Sequence, residues 1–77
     1  MTGGCYCGAL RFQIDGEVHM RALCLCRTCQ KISGGAGNLF LGLNAVDFRY
    51  TQGAPRTFTR IPEAPTREFC GECGVHI

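Results

Sequence analysis

Between Ala9 and Asp15 the chain alternates, with Leu10, Phe12 and Ile14 on one side and Arg11 and Gln13 on the other. A period of two is the mark of a half-buried strand. Glu17 to Leu25 reads as a second strand, with Val18, Met20 and Ala22 sharing one side and His19, Arg21 and Leu23 the other. Asp15-Gly16 between them is a turn signal, so the two runs are expected to pair as a hairpin. Such a hairpin would carry Cys5, Cys7 and the Cys24–Cys29 stretch to one end of a sheet. Asn38 to Leu43 is a strongly apolar strand, Asp47 to Tyr50 a short one closed by Gln52-Gly53-Ala54-Pro55, and Arg56 to Ile61 alternates around Phe58. Pro62 and Pro65 bound a loop, and Thr66 to Phe69 leads into Cys70. Arg27 to Ile32 allows a single helical turn before Gly34, Gly35 and Gly37 stop it. Phe12, Phe40, Phe48, Phe58 and Phe69 are the aromatic core candidates. Six or seven short strands and no long amphipathic helix place the chain in the all-β class.

Length changes the picture. The 77 residues make one domain, and a chain this short buries only about 60% of the surface its unfolded form exposes. Small scaffolds of this kind need covalent or metal staples. Seven cysteines supply the means, and an odd count argues against a fully paired secreted framework. The opening Met1-Thr2-Gly3-Gly4-Cys5 has none of the character of a signal peptide. Reduced thiols in a cytoplasmic setting are metal ligands or reactive groups more often than bridges, so a cytoplasmic zinc protein is expected. The uncharged run Ile32 to Val46 holds 15 residues and four glycines, short of the roughly 20 apolar residues a membrane helix needs. No membrane partner is expected.

Charge excludes a further class. The seven arginines and one lysine stand singly along the chain, without the concentrated basic footprint that nucleic acid requires. Seven thiolates would subtract seven charges and two divalent ions restore four, taking the formal +2 to −1. No nucleic-acid partner is expected.

The thiols fall into groups of two (Cys5, Cys7), three (Cys24, Cys26, Cys29) and two (Cys70, Cys73). A structural zinc takes four protein ligands, whereas a catalytic zinc keeps three and an open place. If each group stays intact, the one division that closes a site is two plus two against three. Cys5, Cys7, Cys70 and Cys73 are therefore expected to hold a structural zinc that pins the two ends of the chain, with Tyr6 packing over it. A site of this kind contributes roughly 10–16 kcal/mol of apparent folding free energy. Cys24, Cys26 and Cys29 are expected to hold a second zinc with a vacancy, the catalytic or exchangeable ion. His19 or His76 filling that vacancy would make the second site structural too. An iron–sulfur cluster fits less well, because the spacing is not one of the usual cluster runs.

Three stretches carry a resemblance: Gly3-Gly4-Cys5-Tyr6-Cys7-Gly8-Ala9-Leu10-Arg11-Phe12; the Cys24-x-Cys26-x-x-Cys29 triplet with Lys31 and Ser33-Gly34-Gly35; and Phe69-Cys70-Gly71-Glu72-Cys73-Gly74-Val75-His76. Together they resemble the glutathione-dependent formaldehyde-activating enzyme family, whose domain also occurs in centromere protein V. The resemblance implies a coiled all-β architecture of small zinc-pinned antiparallel sheets, the same division of the seven cysteines, and a carbon–sulfur lyase-type reaction on S-hydroxymethylglutathione. It implies a small-molecule thiol or aldehyde as partner, glutathione in the first place, and fixes no oligomeric state. It also implies a single domain over 1–77 that lacks its C-terminal strands, because relatives continue past the last knuckle. Two positions depart from the family pattern: Leu25 stands where histidine is usual, and Gln30 where arginine is.

The chemistry expected of the triplet is thiol or carbonyl activation at an open metal place, with Cys24, Cys26 and Cys29 as the working residues. Arg27 and Lys31 are candidates for binding substrate carboxylates, or are simply solvated cations. Ser33 to Gly37 either offers backbone N–H groups to a ligand or only turns the chain. His76 reads as an outward strand residue. Two other functions stay open: an interaction module in which both zincs are structural, and a thiol redox or metal-buffering role for the triplet.

Overall fold

A computed structural model describes residues 1–77. It contains seven strands, β1 (Thr2–Gly4), β2 (Arg11–Ile14), β3 (Val18–Cys24), β4 (Asn38–Leu43), β5 (Phe48–Gln52), β6 (Arg56–Phe58) and β7 (Arg67–Phe69), with one short helix, α1 (Arg27–Ser33), and a 3-10 turn at Ala45–Asp47. All pairings are antiparallel. The all-β class and the absence of a long helix are as the alternation requires. No helix is long and apolar enough to cross a membrane.

The chain divides into two compact units, Met1–Asp15 with Phe48–Ile77, and Gly16–Asp47. In the first, β2 lies between β1 and β5, and β6 pairs with β7. Leu10, Cys5 and Cys70 form its buried centre, with Ala9, Tyr50, Cys73 and Val75 packed against them. Ile14 is buried as well. Removing a leucine side chain such as Leu10 from water is worth about 1.5–3 kcal/mol. Phe12, Phe48 and Tyr50 pack in series, with ring centroids 5.2 and 5.0 Å apart. The Tyr50 hydroxyl donates to Glu68 Oε2 at 2.6 Å, which ties β5 to β7. Burial, with the Glu68 carboxylate adding to it, raises the Tyr50 pKa.

The second unit is β3 paired with β4, with α1 in the connection. Its only buried residue is Cys29.

Four expectations are corrected. The Ala9–Asp15 and Glu17–Leu25 runs do not form a hairpin: β2 pairs with β1 and β5, and β3 with β4. An Asp-Gly hairpin turn of the favoured kind needs positive φ at both residues, yet only Gly16 has it (φ 109°) and no residue other than glycine does. The alternation in β3 breaks at His19, where a bulge puts Val18 opposite Leu43 and Met20 opposite Gly42. Val18 thus joins the face of Leu23 rather than that of Met20 and Ala22. The expected strand Arg56–Ile61 ends at Phe58, where the loop closed by a Thr59–Thr66 hydroxyl hydrogen bond begins. Phe58 and Phe40 are exposed rather than core, because each lies on a two-stranded sheet with nothing laid over it.

Candidate metal centres

In the first unit the sulfurs of Cys5, Cys7, Cys70 and Cys73 all lie within 4.8 Å of one another. Cys5 Sγ is 3.6 Å from Cys7 Sγ, and Cys7 Sγ 3.7 Å from Cys70 Sγ. A zinc–sulfur bond of about 2.3 Å implies a tetrahedron edge of roughly 3.8 Å, so the donor set fits a zinc ion. None of the seven cysteines is in a disulfide.

The two loops that present these sulfurs are built alike. Cys5 N–H donates to the Leu10 carbonyl and Cys70 N–H to the Val75 carbonyl, each five residues on. Backbone donors also point at sulfur: Leu10 N–H at Cys5 (3.2 Å), and Glu72 and Cys73 N–H at Cys70 (3.4 and 3.5 Å). Hydrogen bonds of this kind favour the charged form of the acceptor. The Leu10 N–H accordingly draws the Cys5 thiol down to about 6, and the Val75 N–H lowers that of Cys73. The Ala9 N–H acts on Cys7 in the same sense, but burial and the three neighbouring thiols override it and carry that thiol up to about 12. Without a cation the four sulfurs cannot all be anionic. A divalent ion removes the conflict, which is the pattern expected of a ligand set. Gly53, at φ 76°, packs on the Ala9 carbonyl, where a Cβ would collide with that oxygen.

In the second unit Cys24, Cys26 and Cys29 bring three sulfurs within 4.8 Å of one another. Cys24 ends β3, Cys26 is the N-cap of α1, and Cys29 lies in its first turn. The Cys26 sulfur accepts from Cys29 N–H at 3.4 Å, the capping role that a serine or aspartate oxygen usually plays. That N–H, with the Cys24 and Cys29 thiols, holds Cys26 down at about 7. The Cys24 and Cys26 thiols, together with burial, push Cys29 up to about 11. Cys26 is exposed, Cys24 half-buried and Cys29 buried, so the group is open to solvent at Cys26. No histidine joins either group. His76 instead stacks on Phe69, with ring centroids 5.7 Å apart.

Two contacts at the triplet were not foreseen. The Gln30 side-chain amide donates to the Leu25 carbonyl at 2.8 Å, fastening the loop between the cysteines to α1. Gly37 approaches the Cys24 carbonyl so closely that an added Cβ would lie 2.5 Å from the oxygen and 2.8 Å from Leu25 Cδ2. The signals were a glutamine five residues after Leu25 and a glycine just before β4, both too common to single out.

Other expectations change. Tyr6 does not pack over the first sulfur group; it is 92% exposed. Of the glycine-rich loop, Gly34 N–H caps Gln30 and Gly35 N–H donates to Ser33 Oγ, so both serve the helix end rather than a ligand. Arg27 and Lys31 are exposed and in no ion pair. A cavity of about 280 Å³ lies in the first unit, with Leu10 and Cys70 in its wall and Arg56 and Glu72 charged beside them. None of the triplet lines it.

A family model described as glutathione-dependent formaldehyde-activating enzyme matches residues 1–77, the whole of the chain. No solved structure matches it.

Proposed function

The chain belongs to the glutathione-dependent formaldehyde-activating enzyme family, and from that premise we propose that it is a zinc-dependent carbon–sulfur lyase-type enzyme acting on S-hydroxymethylglutathione-like adducts. The reading rests on one observation: three sulfurs converge at the triplet and no fourth side chain joins them. Cys24, Cys26 and Cys29 would hold the exchangeable zinc, and Cys5, Cys7, Cys70 and Cys73 the structural one. A zinc at the triplet supplies a place where a thiol is acidified or a carbonyl oxygen polarised at neutral pH.

The chain's own residues do the positioning. The Cys29 N–H shares charge with the Cys26 sulfur, and Gln30 keeps the loop carrying Leu25 from moving away. Arg27 and Lys31, free of carboxylate partners, are suited to the carboxylates of a glutathione-like substrate. Thiols add to formaldehyde without help, so placement contributes more than barrier lowering. The aldehyde and thiol are small molecules, and neither nucleic acid nor membrane has a part.

The test is exchange between S-hydroxymethylglutathione and its components, followed by NMR with wild type and Cys26→Ala. Wild type should exceed the uncatalysed rate and the variant should fall back to it. Equal rates for both at the background, with two tightly held zincs per chain, would leave a scaffold and remove the enzyme.

A further inference from the structure

We infer that the triplet is also a binding site for trivalent, three-coordinate thiophilic ions, of which arsenite is the readiest in water, and that it takes such an ion in place of zinc while the four-sulfur group keeps its own. The inference rests on the reading that Cys24, Cys26 and Cys29 form an ion site, and carries it to a different class of ligand.

Ligand number is the first reason. Soft thiolates select soft ions, and geometry decides among them. An arsenic(III) centre has a lone pair in its fourth direction and binds three sulfurs as a pyramid. Three sulfurs within 4.8 Å with no histidine or carboxylate joining them are that donor set. Zinc at the same place is one ligand short of its preferred tetrahedron.

Charge is the second. Three thiolates cancel a trivalent ion, but leave a divalent one with a net negative charge beside the buried Cys29. Keeping net charge in a partly buried place is costly, and Cys29 is buried.

Access is the third. Cys26 is exposed and the three sulfurs lie on one six-residue stretch within 4.8 Å of one another, so an arriving ion meets Cys26 with its other two ligands close at hand. The four-sulfur group differs on each point. It offers a complete tetrahedron with edges of 3.6 and 3.7 Å, and Cys5 and Cys70 are buried. An arsenic there would exchange four zinc–sulfur bonds for three arsenic–sulfur bonds and strand one thiol.

The reaction balances without an oxidant. Arsenous acid loses three hydroxides, three arsenic–sulfur bonds form, and three protons, from the thiols or from solvent where zinc had removed them, leave with the hydroxides as water. Arsenic stays trivalent throughout, and any zinc at the triplet departs as the free dication.

Sodium arsenite titrated into the zinc-loaded chain tests this. Native mass spectrometry should show one arsenic gained, one zinc lost and one zinc kept, and X-ray absorption should find three sulfurs around arsenic. Cys26→Ser should weaken arsenite binding by more than roughly a hundredfold, beyond the 10–100-fold cost of losing an outer-shell partner of a metal. No arsenic bound, both zincs displaced, an oxygen among the arsenic ligands, or a Cys26→Ser chain that binds as well as wild type would each overturn the inference. The coordination number is read on wild type, so a variant that fails to fold does not blunt the test. Failed arsenite binding with intact exchange activity would sink this inference alone. Arsenite bound by a chain without exchange activity would sink the enzyme reading alone.

Discussion

In the unit built from Met1–Asp15 and Phe48–Ile77 four residues are buried, Cys5, Leu10, Ile14 and Cys70, and two of them are sulfur donors inside the core. In the unit Gly16–Asp47 only Cys29 is buried, while Leu39 is 80% exposed and Leu23, Leu25, Phe40 and Leu41 are also exposed. A two-stranded hairpin without a covered face is marginal in water. The first unit thus joins its sulfurs to a hydrophobic centre. The second has local backbone hydrogen bonds and whatever its three sulfurs hold. The same residue type therefore lies in a packed hydrophobic centre in one unit and, Cys29 apart, outside one in the other.

The comparison can be broken most forcefully at Cys70. Cys70→Ser should unfold the first unit, because the metal term of about 10–16 kcal/mol exceeds or matches the whole stability of a small domain. Amide exchange should lose protection in β1, β2 and β5. A variant that keeps those protected amides would show that the core holds without the ion. Next in size, Leu10→Ala should cost about 2–5 kcal/mol, the range for emptying a buried leucine site, read from denaturant midpoints at fixed zinc. Gly53→Ala should cost about 1–3 kcal/mol, because positive φ and the nearby Ala9 carbonyl leave no room for a methyl; a midpoint matching wild type would mean that this turn relaxes freely.

A smaller effect is expected from pH on the metal-free chain. Cys5 and Cys26 sit at about 6 and about 7 against an ordinary thiol value near 9, so they add stability above 9 that is lost as pH falls through 7 and 6. Cys7 and Cys29 are raised to about 12 and about 11, so their contribution is present below 9 and fades as pH rises through those values. Whatever structure the metal-stripped protein keeps should be greatest near pH 9 by circular dichroism, and Cys26→Ser should flatten the rise between 7 and 9. A signal that climbs steadily to pH 11 would contradict the assignment. The smallest change should come from Leu39→Ala, within about 0.5 kcal/mol as for other exposed positions. A loss comparable to Leu10→Ala would mean that the second unit has a covered face in solution.

What the sequence disclosed was what is local. Leu10, Phe12 and Ile14 alternate within one strand, and their periodicity needs no knowledge of partners. The cysteine spacing gives group sizes by counting. β1 escaped because Thr2-Gly3-Gly4 has no hydrophobic pattern. Gly3 is there to admit the Phe12 ring, whose Cζ would lie 2.5 Å from a Cβ at that position. The pairing of β2 with β5 spans more than thirty residues and depends on Phe48 and Tyr50 meeting Ile14 and Phe12, a choice among partners that alternation cannot make. The His19 bulge escaped for a related reason: a register shift leaves no mark in composition. Gln30 and Leu25 were legible as departures but not as a pair, since their bond runs from a side chain to a carbonyl and any residue can supply the carbonyl.

Cys7 and Cys70 meet across 63 positions of chain, whereas the triplet is complete within six. A ribosome adding roughly 5–20 residues per second therefore exposes a finished three-thiol group seconds before the last cysteine of the four-thiol group has been made. During that interval Cys5 and Cys7 are an incomplete pair and the triplet is the nascent chain's best claimant on free metal. If both groups take ions, the order of synthesis would put the first ion where it would be held least completely, and the four-thiol ion would come last.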